Sequence, residues 1–435
     1  MNLPVLLPDL KSQLWDCHGC TSCCRELVVH LTQRDVDEIE RQGWRQRMSE
    51  PPYIRLGRER VLNHQPGGGC VFLTEDGRCR IHAEFGAEAK PLACRLYPFT
   101  LHHEGDAIRA GLRFDCPSAV SNSGSALSSH RKHLTRLVAE LHDAGQSLLG
   151  DRAAPACLTD GRRLTNAEQH AFVRCLDSWL RDANRPLSQR LLGMYHLICT
   201  LSRAKLQNVR DEEFVELLDL LAIDLPAATD ELRAQAAPPP SSREGKLLRM
   251  NIFAHCEHVT LAQARRSFLA GLAYRFDQLS RARRFVRGVG PVPKLVAGFL
   301  GGSFAEVARI TCPIEVHRQI DELLTRYLRV RLLGGTAFGA GYYGWAAVDG
   351  LSALLLAVCC VDWLARYFTV TEGRAAIMIE DVNHALGVVD RTAGRARELG
   401  TRAARLRVRY LASEGGIERL VRSAGIVGWR EVPKM

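Results

Sequence analysis

The chain has 435 residues, 46% hydrophobic and 24% charged, with a formal net charge of +10 and fifteen cysteines. That length leaves room for two or three domains, each with its own core. It excludes a secreted disulfide scaffold, which is short and usually carries an even number of cysteines. The opening MNLPVLLPDLK has neither a basic n-region nor a long apolar h-region, so it does not read as a secretory signal. The expected location is cytoplasmic, with thiols reduced and free to act as ligands.

Eight cysteines fall in the first 116 residues of the chain. Cys17, Cys20, Cys23 and Cys24 form C-x-x-C-x-x-C-C, and Cys70, Cys79, Cys94 and Cys116 follow. Between them LVVH (27–30), CVFL (70–73) and CRI (79–81) read as strands or extended ligand arms. A helix is expected over 33–42, capped by Thr32 with Asp35 at the capping-box position and ended by Gly43. PSAVSNSGSALSS (117–129) reads as a small-residue linker. Beyond it Leu134, Leu137, Val138, Leu141 and Leu148 recur at helical spacing. Thr165-x-x-Glu168 is a capping box that opens a helix toward Trp179, and 187–206 and 212–223 continue the helical pattern.

AQAAPPPSSREG (234–245) reads as a second linker, after which helices resume with a pause at GPVP (290–293). GLSALLLAVCCV (350–361), bounded by Asp349 and Asp362, reads as a buried helix. Its twelve uncharged residues fall short of the roughly 20 that span a bilayer, so no membrane span is expected. Met378, Val382, Ala385 and Val389 form a 4-3-4 stripe. The expected fold is mainly α. A small irregular cysteine-rich metal-binding domain with short strands occupies 1–120, a helical region 130–232, and a helical C-terminal region 246–435.

Thiolates are soft ligands that suit zinc and iron–sulfur clusters. Two-residue spacings let a short loop turn several sulfurs toward one centre, and Gly19, Gly67, Gly68, Gly69 and Gly77 let backbone approach it. Structural zinc sites draw on two separated C-x-x-C or C-x-x-H pairs, and the downstream cysteines form no second pair of that kind. The run Cys17, Cys20, Cys23 matches a ferredoxin-like C-x-x-C-x-x-C, and Cys116-Pro117 offers the remote fourth cysteine followed by proline. A specific arrangement follows. Cys17, Cys20, Cys23 and Cys116 hold one [4Fe–4S] cluster, and Cys24, Cys70, Cys79 and Cys94 make a second site, with zinc as the alternative metal. Arg25, Arg80 and Arg95 each follow a cysteine and are candidates to offset thiolate charge.

Other features have plainer readings. His18, His30, His64, His82, His102 and His103 lie near the cysteines and read as ordinary polar residues. Cys157, Cys175, Cys199, Cys256, Cys312, Cys359 and Cys360 read as buried structural thiols, although Cys312-Pro313 could stand in for Cys116. GGTAFGAGYYG (334–344) follows a helical pattern and so reads as a helix–helix connection, not a nucleotide loop. The arginine-rich runs 281–287 and 391–410 lack recognition motifs or interleaved aromatics, so they read as solvated helix faces and nucleic acid is not an expected partner.

The cysteine pattern resembles a known family. C-x-x-C-x-x-C-C, C-V-F-L…G-R-C-R-I-H (70–82) and K-P-L-A-C-R-L-Y-P-F (90–99) are similar to the YkgJ-type cysteine-cluster domain, which chelates zinc or iron. Cys17, Cys20, Cys23, Cys24, Cys70, Cys79, Cys94 and Cys116 stand as its eight cysteines. Lys90-Pro91 replaces the Arg-Pro of short members and keeps the charge. The helical extension resembles that of flagellin lysine N-methylases, on architecture and on G-L-x-A-L-L-L-A near residue 350. That likeness implies methyl transfer to a protein lysine with S-adenosylmethionine as cofactor, and it identifies no catalytic residue. Three functions follow: an iron–sulfur or zinc protein with a helical accessory body, a lysine N-methylase-like enzyme acting on a protein substrate, or a zinc-stabilised scaffold whose helices bind a partner.

Overall fold

The computed structural model describes residues 3–428 except 9, 11, 144–153, 237, 258–259, 265 and 267. The chain is mainly α, and its few strands are short. It divides into two compact units: Met1–Arg152 with His258–Asp277, and Ala153–Glu257 with Gln278–Met435.

The first unit begins with β1 (Val5–Leu6) and β2 (Leu14–Trp15), then α1 (Ser22–Glu26), α2 (Gln33–Arg41) and α3 (Trp44–Arg47). α2 has the expected capping box: Asp35 N–H donates to Thr32 Oγ1 and Thr32 N–H to Asp35 Oδ2. The hairpin of β3 (Tyr53–Leu56) and β4 (Glu59–Leu62) follows. Next come α4 (Arg80–Phe85), α5 (Leu92–Leu96), β5 (Phe99–Glu104), β6 (Ala107–Leu112), α6 (Pro117–Val120), β7 (Ser125–Ala126) and α7 (Arg131–Asp143). β6 is central in a three-stranded sheet, antiparallel to β5 and parallel to β1.

Three local expectations differ from what is observed. Residues 70–73 form a turn closed by Leu73 N–H to Cys70 O at 2.9 Å, with isolated bridges at Cys70 and Leu73, and not a strand. Residues 80–81 open α4 and are not a strand; only Cys79 is extended, bridging to Leu73. The small-residue run 117–129 is not a free linker. β7 pairs with β2, Asn122 Oδ1 accepts Leu14 N–H at 2.8 Å, and Ala119 O accepts from Gln13 Nε2 at 3.0 Å. The small side chains permit close backbone approach: a Cβ on Gly124 would lie 2.4 Å from Asp16 N. The same composition that loosens a chain in solvent lets two backbones meet here.

The second unit opens with β8 (Cys157–Thr159) and β9 (Arg162–Arg163), then α8 (Asn166–Arg181), α9 (Leu187–Arg203), α10 (Asp211–Ala234) and α11 (Ser242–Cys256). α12 (Leu261–Ala264) and the first half of α13 (Phe268–Arg287) belong to the first unit; the second unit continues with the rest of α13, then α14 (Phe304–Arg309), α15 (Ile314–Leu333), α16 (Ala347–Thr371), α17 (Ile379–Thr392), α18 (Arg402–Ser413) and α19 (Gly416–Ser423). The Thr165–Glu168 capping box forms, and Ser241 and Glu244 make another at the end of the 234–245 connection. Glycine-rich 334–344 joins α15 to α16 as a helix–helix connection.

α16 is the core helix, touching α9, α11, α14, α17, α18 and α19. It runs well beyond the twelve apolar residues and is long and apolar enough by composition to cross a membrane, yet 94% of its most apolar window is buried within the protein. Asp349 near its start takes Arg409 Nε at 2.8 Å and Arg405 Nε at 2.7 Å. Much of the charge in 391–410 therefore serves internal ion pairs and not a solvated face, since Arg395 also reaches Asp390. On α17, Val382, Ala385 and Val389 are fully buried, while Met378 before its first turn is 48% exposed.

Candidate metal centre

Five chain segments bring the cysteines together. The first is the turn into α1, where Thr21 takes a left-handed conformation (φ 63°) that redirects the chain between Cys20 and Cys23. The second is the glycine loop before Cys70. Gly69, at φ +85°, lies beside the Cys24 carbonyl, and Cys70 N–H donates to that carbonyl at 2.7 Å. In the third, Thr74 and Arg78 close a turn (Thr74 N–H to Arg78 O, 2.9 Å) that delivers Cys79 to the start of α4. Cys94 sits in α5, whose first N–H, on Leu92, donates to Asp35 Oδ1 at 2.9 Å. Cys116 caps α6, with Pro117 at its first position.

All eight sulfur-bearing side chains line one cavity of about 730 Å³. His18, His64 and His82 line it too; His30, His102 and His103 do not. Cys312, in the second unit, is not among its residues. Two groupings are visible. Cys24, Cys70, Cys79 and Cys94 pack on one apolar cluster that includes Ile39, Trp44, Phe72 and Ile81. Cys17 and Cys20 are exposed, and Cys20 is the thiol neighbour of Cys116. Cys23 Sγ lies 3.9 Å from Cys24 Sγ, where the two groups meet. The thiols ring a space and do not converge on a point: among the described residues no three Cys, His, Asp or Glu side chains are grouped closely enough to hold an ion.

The electrostatics do not follow that division, because burial raises thiols of both sets. Burial pushes the Cys70 thiol up to about 12, and burial with neighbouring Cys70, Cys24 and Cys79 pushes Cys94 well above its ordinary value. Cys24 goes the other way, to about 7. A hydrogen bond from Cys23 favours its thiolate, and Lys90 and Arg25 add positive charge. Burial raises Cys116, while the Ala119 amide, the Trp15 indole and the Ser118 amide favour its thiolate. The buried Trp15 Nε1 meets no other acceptor. A chain without metal thus buries Cys70, Cys94 and Cys116 as neutral thiols, with the Trp15 indole N–H beside Cys116. Eight soft donors, two nearby cations and this donor fit a thiolate-bound metal.

Sequence reasoning placed compensating charge on three arginines. Arg25 does neighbour Cys24, but Arg95 turns away and binds Glu140 through two hydrogen bonds (3.0 and 2.6 Å). The missed residue is Lys90, which faces both Cys24 and Cys94. Its signal in the sequence was the positive charge kept before Pro91, on the approach to Cys94.

Residues 16–113 match the CxxCxxCC family model, described as "Putative zinc- or iron-chelating domain". The matched span holds every cysteine of the set except Cys116, which lies just beyond it. No curated protein and no solved structure matches the chain.

Proposed function

We propose that the cysteine unit is a metal-holding module with two thiolate centres. Cys17, Cys20, Cys23 and Cys116 hold a [4Fe–4S] cluster, and Cys24, Cys70, Cys79 and Cys94 hold a second metal, iron or zinc. The observation that carries this reading is the meeting of eight thiols from distant segments around one cavity, four of them on the apolar cluster and four outside it. Neighbouring Cys23 and Cys24 serve one mononuclear ion poorly, and dividing them between centres removes that difficulty.

Bound there, an iron–sulfur cluster supplies one-electron transfer. The chain's residues set the conditions for holding it. Lys90 and Arg25 offset thiolate charge beside Cys24, the Trp15 indole N–H faces Cys116, and the apolar cluster keeps water from the inner four sulfurs. Metal binding is coupled to folding, because deprotonated thiols buried without a metal are costly. The test is anaerobic purification with iron, sulfide and zinc quantified on one sample. Brown protein with sulfide supports the cluster, and colourless protein with stoichiometric zinc alone contradicts it.

A further inference from the structure

The cysteine unit carries a second cleft, of about 830 Å³, across one of its walls from the thiols. Along 27–30 the side chains alternate: Leu27 and Val29 line the cysteine cavity, Val28 and His30 the cleft. Ala93, next to Cys94, lines both.

The cleft is short of negative charge. Arg55 and Arg60 are directly opposed across the β3–β4 pair, an arrangement of like charges that destabilises paired strands. Arg58 adds a third guanidinium from the turn between them. The single carboxylate in the lining, Glu59, is taken by His30 at 2.6 Å. Arg60 donates to the neutral Gln33 Oε1 at 2.7 Å. Among the described residues neither Arg55 nor Arg58 has a carboxylate partner, and both are exposed. Leu31 and Leu92 give the cleft an apolar component.

We propose that this cleft docks an acidic segment of a partner protein, with carboxylates on Arg55, Arg58 and Arg60 and an apolar side chain against Leu31 and Leu92. Opposed arginines without counter-charge gain most from an anionic partner, and the apolar lining favours a peptide over a free anion. Docking does not depend on which metal the thiols hold. Its consequence, a partner held one wall from the centre, rests on the metal reading above.

The test uses the full chain, purified anaerobically, and a fluorescein-labelled Glu-rich peptide with a central leucine, followed by anisotropy over a salt series. Binding should weaken steeply with salt. Arg55→Glu with Arg60→Glu should weaken it by about tenfold or more, and Arg58→Glu by less, with metal content and melting temperature unchanged. Equal affinity of wild type and double variant overturns the proposal. So does a single-stranded RNA of equal length that binds more tightly than the peptide and is lost in the same variant. Metal content, measured on each sample, reports failure of the metal reading separately.

Discussion

Cys70 N–H donates to the Cys24 carbonyl at 2.7 Å, so the backbone of the C-x-x-C-x-x-C-C turn is tied to the glycine loop of a distant segment. The bond is independent of metal. It brings Cys24 and Cys70 onto the same apolar cluster before any ion is added, which predicts that the inner set is the better organised of the two in metal-free protein. Cysteine-directed cross-linking of metal-free protein should therefore join pairs within Cys24, Cys70, Cys79 and Cys94 more readily than Cys17 to Cys116.

Single ligand changes should divide along the two sets. Cys94→Ser should remove the second metal and leave most of the cluster, and Cys20→Ser should do the reverse. Each should lower the melting temperature by roughly 10 °C, since site formation and folding are coupled. Metal analysis with a thermal melt checks both. Complete loss of all metal in either variant would mean the eight thiols act as one site.

Cys199→Ser is the matching control. Cys199 lies on α9 in the second unit, its thiol 3.9 Å from Ala412 O. Metal content should not change and stability should shift by no more than about 1 kcal/mol. Metal loss here would contradict the division between ligand and structural thiols.

Lys90 can be tested without metal. The hydrogen bond from Cys23 and the charges of Lys90 and Arg25 pull the Cys24 thiol down to about 7. Lys90→Ala should raise the midpoint of its alkylation–pH profile by up to about one unit. Mass-spectrometric alkylation rates measure this, and an unmoved midpoint removes Lys90 from the site.

The second unit should be acid-sensitive at Glu168. Burial alone would raise its pKa, but the hydrogen bond from Arg162 and those from the Thr165 and Asp211 amides outweigh burial and lower it to about 2. A carboxyl depressed below its unfolded value, about 4.3, gives its full stabilisation above that pH and loses it as pH falls toward 2. Glu168→Gln leaves Arg162, 1% exposed, without its charge partner and should cost about 3–5 kcal/mol at neutral pH. It should also flatten the acid limb of stability measured by urea unfolding against pH.

What was legible in the sequence was local. The Thr32–Asp35 and Thr165–Glu168 caps sit where side-chain chemistry alone places them, and the apolar run around 350–361 reads as a buried helix and is one. The eight cysteines stood out because their spacing is unlike that of core thiols. What was hidden depends on contacts between distant segments. Gly124 looks like linker until Asp16 lies against it, and Arg95 looks like a thiolate partner until α7 brings Glu140. Lys90 looks incidental until α5 folds back on the first cysteine turn.

The most direct measurement of the central claim is the metal and sulfide content per chain of anaerobically purified protein. Two thiolate centres predict about four iron and four sulfide per chain, plus one or more further iron or zinc. A single metal ion per chain, or none with all eight thiols titrating as free, would contradict it.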